Sequence, residues 1–249
     1  MAAKNSEKSF GTRVDNANKI LVHISSFAGF DPPKELITKS LADLIAQVGK
    51  QNTDTAGKAQ TYSAAVDMRQ KLFTKDDDSL MKTVTQVTAA VRSSFGKNSK
   101  QAISMRSMAK KIAGASTRKQ ATATATPAGQ SNAAPVPKTE TAFVSQSSRG
   151  YGNMLKTFGD IIATIENYKD GYQAGNAALA LAALKTGQAQ LTDINAQATA
   201  AYGALKTAKG SRAVIYKQLT DMTLRIKEAV KSQYGTSSTE YKLIKGIKV

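Results

Sequence analysis

Apolar residues in this chain return every three or four positions, and they do so in two stretches that can be laid on one another. Leu80, Val84, Val87, Val91 and Phe95 step by 4, 3, 4 and 4, while Ile215, Leu219, Met222, Ile226, Val230 and Tyr234 step by 4, 3, 4, 4 and 4. That spacing draws one stripe along an α-helix, and such a stripe has to be covered by sister helices. Leu184, Leu191, Ile194, Ala198, Tyr202 and Leu205 extend the pattern upstream, and no alternating strand pattern competes with it. The expected fold class is all-α.

The correspondence extends over most of the chain. At an offset of 141, Phe10-Gly11 matches Tyr151-Gly152, and Val14, Ile20, Leu21, Ile24 and Phe27 fall on Leu155, Ile161, Ile162, Ile165 and Tyr168. At 140, Leu41, Leu44 and Tyr62 fall on Leu181, Leu184 and Tyr202; at 139, Leu80, Val87, Val91 and Phe95 fall on Leu219, Ile226, Val230 and Tyr234. A drift of one residue at each of two loops is what a duplicated unit with small loop deletions produces. The most specific match is Val91 to Ser99 against Val230 to Ser238, both reading V-[RK]-S-x-[FY]-G-x-[NS]-S. A glycine past an apolar run stops a helix, and a serine shortly after caps the next, so each segment reads as a helix-turn-helix corner rather than an anion-binding loop.

From Ala113 to Ser148 the only large apolar residues are Val136, Phe143 and Val144, and Pro127, Pro135 and Pro137 withdraw backbone donors. Such a stretch cannot build a core and reads as a linker. Two antiparallel helical bundles are therefore expected, one over 10–112 and one over 150–249, joined by residues 113–149. Each has three long helices and a short tail helix, the latter near 99–112 and 238–246. Asp31 followed by Pro32 and Pro33 suggests that the long second helix begins there. The paired copies, the corner Tyr234-Gly235 with Ser238-Thr239-Glu240-Tyr241-Lys242, and the ending Lys245-Gly246-Ile247-Lys248-Val249 resemble uncharacterised duplicated all-helical proteins of Bacteroidetes-type bacteria. The resemblance implies a fold and no activity.

Enzyme chemistry has little to work with. The 249 residues include no Cys, no Trp and one histidine, His23, which excludes thiol nucleophiles, Cys-based zinc sites and His-clustered metal centres. No Gly-rich phosphate motif and no G-x-S-x-G occurs. Asp76-Asp77-Asp78 lacks the spaced ligands of a calcium loop and is better explained as an N-terminal cap for the helix that follows. His23, set among Ile20, Leu21, Val22 and Ile24, reads as structural. No catalytic residue, metal or cofactor is expected. The polar amino terminus has no secretory signal, so the chain is expected to start here, and no segment is apolar enough to span a membrane. The cytoplasm is the expected location.

Charge is the one functional signal. Lys plus Arg number 35 against 18 Asp plus Glu, a net of +17. Between Asp78 and Glu140 no acid interrupts Lys82, Arg92, Lys97, Lys100, Arg106, Lys110, Lys111, Arg118, Lys119 and Lys138, and from residue 201 onward ten basic residues face three acids. Residues 151–200 carry a net of −1 by contrast. Two equivalent basic corners could hold phosphates, through Lys97, Lys100, Arg106, Lys110, Lys111, Arg118 and Lys119 in the first copy and Lys231, Lys242, Lys245 and Lys248 in the second. Against this, most aromatic residues occupy core-like positions and leave few to stack on bases. Two readings stay open. One is a non-enzymatic structural or scaffold protein that meets a protein partner or its own kind. The other is a sequence-independent nucleic-acid binder, and an acidic protein partner would use the same charge.

Overall fold

The computed structural model describes residues 7–114 and 150–249. The expected linker beyond Gly114, with Arg118 and Lys119, lies outside them. Every regular element among the described residues is helical: α1 (Glu7–Ser26), α2 (Thr38–Gln70), α3 (Leu80–Phe95), α4 (Lys100–Ala113), α5 (Tyr151–Asn167), α6 (Leu181–Tyr234) and α7 (Thr239–Lys245). A π-turn, Lys71–Lys75, ends α2, and short 3-10 turns, Lys34–Leu36 and Ala177–Leu179, precede α2 and α6. The tail helices α4 and α7 fall where the capping serines and periodic residues put them.

Two sequence expectations are corrected. The second helix does not begin at Pro32: Pro33 is extended (φ −49°, ψ 143°), a 3-10 turn follows, and α2 starts at Thr38. Each proline disfavours the helical region for the residue before it, so Asp31 and Pro32 are held extended and the pair does not open a helix. In the second copy the expected second and third helices are one continuous helix, α6. No proline interrupts it, and its interior glycines lower helix propensity without breaking the hydrogen-bond ladder.

The helices gather into two compact units, and these are not the two sequence halves. One unit is Met1–Ala65 with Ala198–Val249; the other is Val66–Gln197. The first buries Ala17, Ile20 and Ile24 of α1 and Leu41 and Val48 of α2 against Tyr216, Leu219, Ile226 and Val230 of α6 and Ile244 of α7. The second buries Phe158, Ile161 and Ile165 of α5 and Leu184 and Leu191 of α6 against Phe73, Leu80, Val87 and Val91, with Met105 of α4. Each core thus takes its early helices from one half of the sequence and its late helices from the other. At about 1.5–3 kcal/mol for each buried aliphatic side chain, the late helices contribute on the order of 10 kcal/mol to each core, as much as a whole domain's net stability.

A cut in the backbone between residues 115 and 149 separates the halves covalently. With autonomous bundles over 10–112 and 150–249 the fragments would part in buffer. With cores assembled as described they co-elute at the mass of the uncut chain and separate only in denaturant, which size-exclusion chromatography with light scattering will read.

Candidate interaction surface

The corners are where the two units match most closely. Gly96 ends α3 at φ 88°, ψ 151°, and Gly235 ends α6 at φ 88°. For Gly96 this is not the compact left-handed stop usual after a helix but an extended region open essentially to glycine alone, and Gly235 shares its positive φ. Ser99 then caps α4, its Oγ accepting from the Ala102 N–H at 3.1 Å, and Ser238 caps α7, accepting from the Tyr241 N–H at 3.0 Å. Before each glycine an aromatic ring turns inward. Phe95 packs on Tyr168 at 5.0 Å between centroids, and Tyr234 packs on Phe27 at 6.0 Å. In both cases the ring's partner comes from the other half of the sequence. The Phe95 ring also sits where a Cβ on Gly171 would be, 2.8 Å from its Cζ. One residue ahead, Ser94 Oγ accepts from the Gln173 N–H at 3.3 Å, and the equivalent Gln233 accepts from the Asp31 N–H at 3.1 Å.

A second repeated device went unread in the sequence. In one unit the Arg69 guanidinium lies 4.2 Å from the Tyr151 ring, which packs edge-on against Phe73. In the other, Arg212 lies 4.3 Å from the Phe10 ring, which packs on Tyr216 at 4.7 Å. The Arg13 guanidinium lies 4.8 Å from the Tyr216 ring and its Nη2 donates to the Tyr216 carbonyl at 3.0 Å. The Tyr216 hydroxyl donates to the Phe10 carbonyl and accepts from Asn52 Nδ2. The signal was an Arg followed four residues later by an aromatic, Arg69 to Phe73 and Arg212 to Tyr216, at a common offset of 143. The same offset pairs the buried Leu36, Leu41 and Val48 with Leu179, Leu184 and Leu191. It replaces the offset of 140 read from Leu41, Leu44 and Tyr62 and matches Tyr62 to the buried Leu205, while Tyr202, assigned to the apolar stripe, is 54% exposed and stacks on Tyr62.

The charged residues divide unequally between these corners. α4 buries Ala102, Met105 and Ile112 and turns Lys100, Arg106, Lys110 and Lys111 to solvent within about 140° of its circumference at 3.6 residues per turn. Ile103, 57% exposed, stands among them. Lys97 is exposed on the corner itself. None of these five cations forms an ion pair among the described residues. At the other corner Lys97 and Lys100 are replaced by Thr236 and Thr239, and α7 carries Glu240. Lys231 pairs with Glu228 at 3.2 Å, and the Lys248 carbonyl accepts from Asn16, while Lys242 and Lys245 are exposed. The corners share backbone geometry but differ in charge, the denser set of cations lying on α4.

The remaining polar features are structural. Asp77 does not cap α3; it pairs with Lys82, whose ammonium holds its carboxyl below the ordinary value. Ser79, the residue before α3, makes no side-chain cap bond. His23 is half-buried and its carbonyl accepts from Ser26 Oγ at 2.7 Å. No cluster of three metal-ligating side chains occurs among the described residues, and no described helix is long and apolar enough to cross a membrane. An apolar cleft of about 380 Å³ in the second unit is lined by Leu72, Leu80, Phe158, Leu184 and Leu191, with Asp78, Thr83 and Gln190 at its polar edge. Comparison with protein-family profiles, with curated proteins and with solved structures gave no match to this chain.

Two outcomes follow from the corner geometry. Gly96→Ala and Gly235→Ala each cost about 1–3 kcal/mol, read as a shift in the urea midpoint at unchanged slope. Desolvation raises the hydroxyl pKa of Tyr168, and a raised native value means that its contribution is intact below about 10 and lost as pH climbs through that raised value. Tyr172 adds to this loss, while Lys227, pushed down by burial, works in the opposite sense. Tyr168→Phe should therefore reduce the fall in stability between pH 8 and pH 11, measured by urea denaturation at both.

Proposed function

We propose that this chain is a non-enzymatic scaffold, an internally duplicated helical protein whose two copies exchange their late helices. One observation carries the reading: the most elaborate side-chain arrangements are built twice, at matched positions, and both times they join helix to helix. Gly96 with Ser99 and Gly235 with Ser238 form corners. Arg69 with Tyr151 and Arg212 with Phe10 form clamps. Lys227 donates to the Ile247 carbonyl and Thr220 to that of Val249, fastening the last residues to α6. Chemistry duplicated for cohesion supports a role in presenting helix surfaces to a partner. A reproducible turnover that disappears on changing one polar residue of the cleft, Asp78 or Thr83, would overturn this reading.

A second reading is favoured by the α4 face alone, a sequence-independent contact with the nucleic-acid backbone. Lys100, Arg106, Lys110 and Lys111 would neutralise phosphates, with Lys97 beside them and Arg118 and Lys119 following in the sequence. Each phosphate contact on duplex DNA contributes about −0.9 to the slope of log affinity against log salt. Changing the four α4 cations to Gln should then flatten that slope by up to about 3.6, with unrelated DNA and RNA probes behaving alike. No binding at about 50 mM salt, where a phosphate-neutralising surface is strongest, would remove this reading and leave the scaffold.

A further inference from the structure

We propose that a second copy of this chain is a partner, and that two chains associate by trading whole halves. Each unit joins early helices of one half to late helices of the other, so a folded particle needs one first half and one second half. The described contacts do not require both to come from the same chain. The first half of one molecule with the second half of another reproduces every core contact, both clamps and both corners. Only the covalent route through residues 115–149 differs.

This differs from surface docking because no new interface is created and no exposed patch is needed. The ring contacts that would hold two chains together are those that hold one: Phe27 on Tyr234, Phe10 on Tyr216, Phe95 on Tyr168 and Phe73 on Tyr151. The tether alone favours the single-chain form, through an effective concentration on the order of 1 mM. Exchanged and unexchanged particles should be comparable near that chain concentration and the exchanged form about a hundredfold rarer at about 10 µM. Because the particle must open for the halves to separate, the distribution is set on folding and is slow to relax afterward.

The absence of native cysteine makes the test direct. Full-length chains carrying Phe27→Cys are unfolded together with chains carrying Tyr234→Cys, refolded at about 1 mM and oxidised. A chain bearing both substitutions serves as the positive control and should close a disulfide within itself. The expected result is a disulfide-linked heterodimer of native helix content after co-refolding near 1 mM, roughly a hundredfold depleted when refolding is done at about 10 µM. The same chains mixed without unfolding should give little of it. If the doubly substituted chain closes its own bond while the co-refolded pair yields only monomers, the proposal is overturned. A heterodimer formed equally well by mixing folded chains would overturn it too, since that is surface association.

Discussion

The burial of the late helices' apolar stripe against early helices from the other half is the constraint on which the remaining structure depends. α3 offers Leu80, Val84, Val87 and Val91 on one face; Met105 and Ile112 of α4, from its own half, share the core with them, and α5 of the other half adds Phe158, Ile161 and Ile165. The reciprocal contact sets α6 against Ala17, Ile20 and Ile24 of α1. The corner aromatics reach Tyr168 and Phe27 from the other half, and both corner glycines take a positive φ where the tail helix returns onto the same core. Hydrophobic burial selects which helices meet, and the directional contacts then fix their register.

Much of this was legible. Spacings of three and four identified the helices, and the V-[RK]-S-x-[FY]-G signature located both corners and both capping serines. What the sequence did not show was which helices share a core. Periodicity says that a face is apolar and is silent about whose face covers it, so two autonomous bundles and two units of mixed parentage have the same pattern. The early helices of the two halves are also interchangeable in chemistry, Ile20 and Ile24 matching Ile161 and Ile165. No local signal could say which of them α3 would choose.

The functional surface was legible in part for a different reason. A count of charges finds Lys100, Arg106, Lys110 and Lys111 but cannot tell an unpaired cation from one whose neighbour answers it, and Lys231 proved to be the second kind. The Arg clamps were missed because arginine was read as surface charge. Arg212 is only 7% exposed and lies over the Phe10 ring, so its guanidinium belongs to the packing of its unit rather than to the field outside it. A stacked, desolvated guanidinium contributes about 1–2 kcal/mol, comparable to a buried aliphatic side chain.

One length difference between the two halves, between the clamp and the stripe that follows it, is four residues. From Phe73 to Leu80 is seven positions, and from the equivalent Tyr216 to the equivalent Leu219 is three. Both spacings return a side chain to nearly the same helix face, at 3.6 residues per turn, so either length keeps the clamp and the stripe that follows on the core side. Four extra residues could have lengthened a continuous helix by about one turn, roughly 6 Å at 1.5 Å per residue, and carried Leu80 past the partners that Leu219 meets in its own unit. The chain instead absorbs them outside the helical ladder: a π-turn at Lys71–Lys75, an extended Asp76 and a short turn before Ser79. Asp77 and Lys82 then close the break from outside. The acidic run that looks like a cap or an ion site is thus best explained as the remainder of a length mismatch, held at the one place where the stripe could be interrupted without displacing Phe73 or Leu80 from the core.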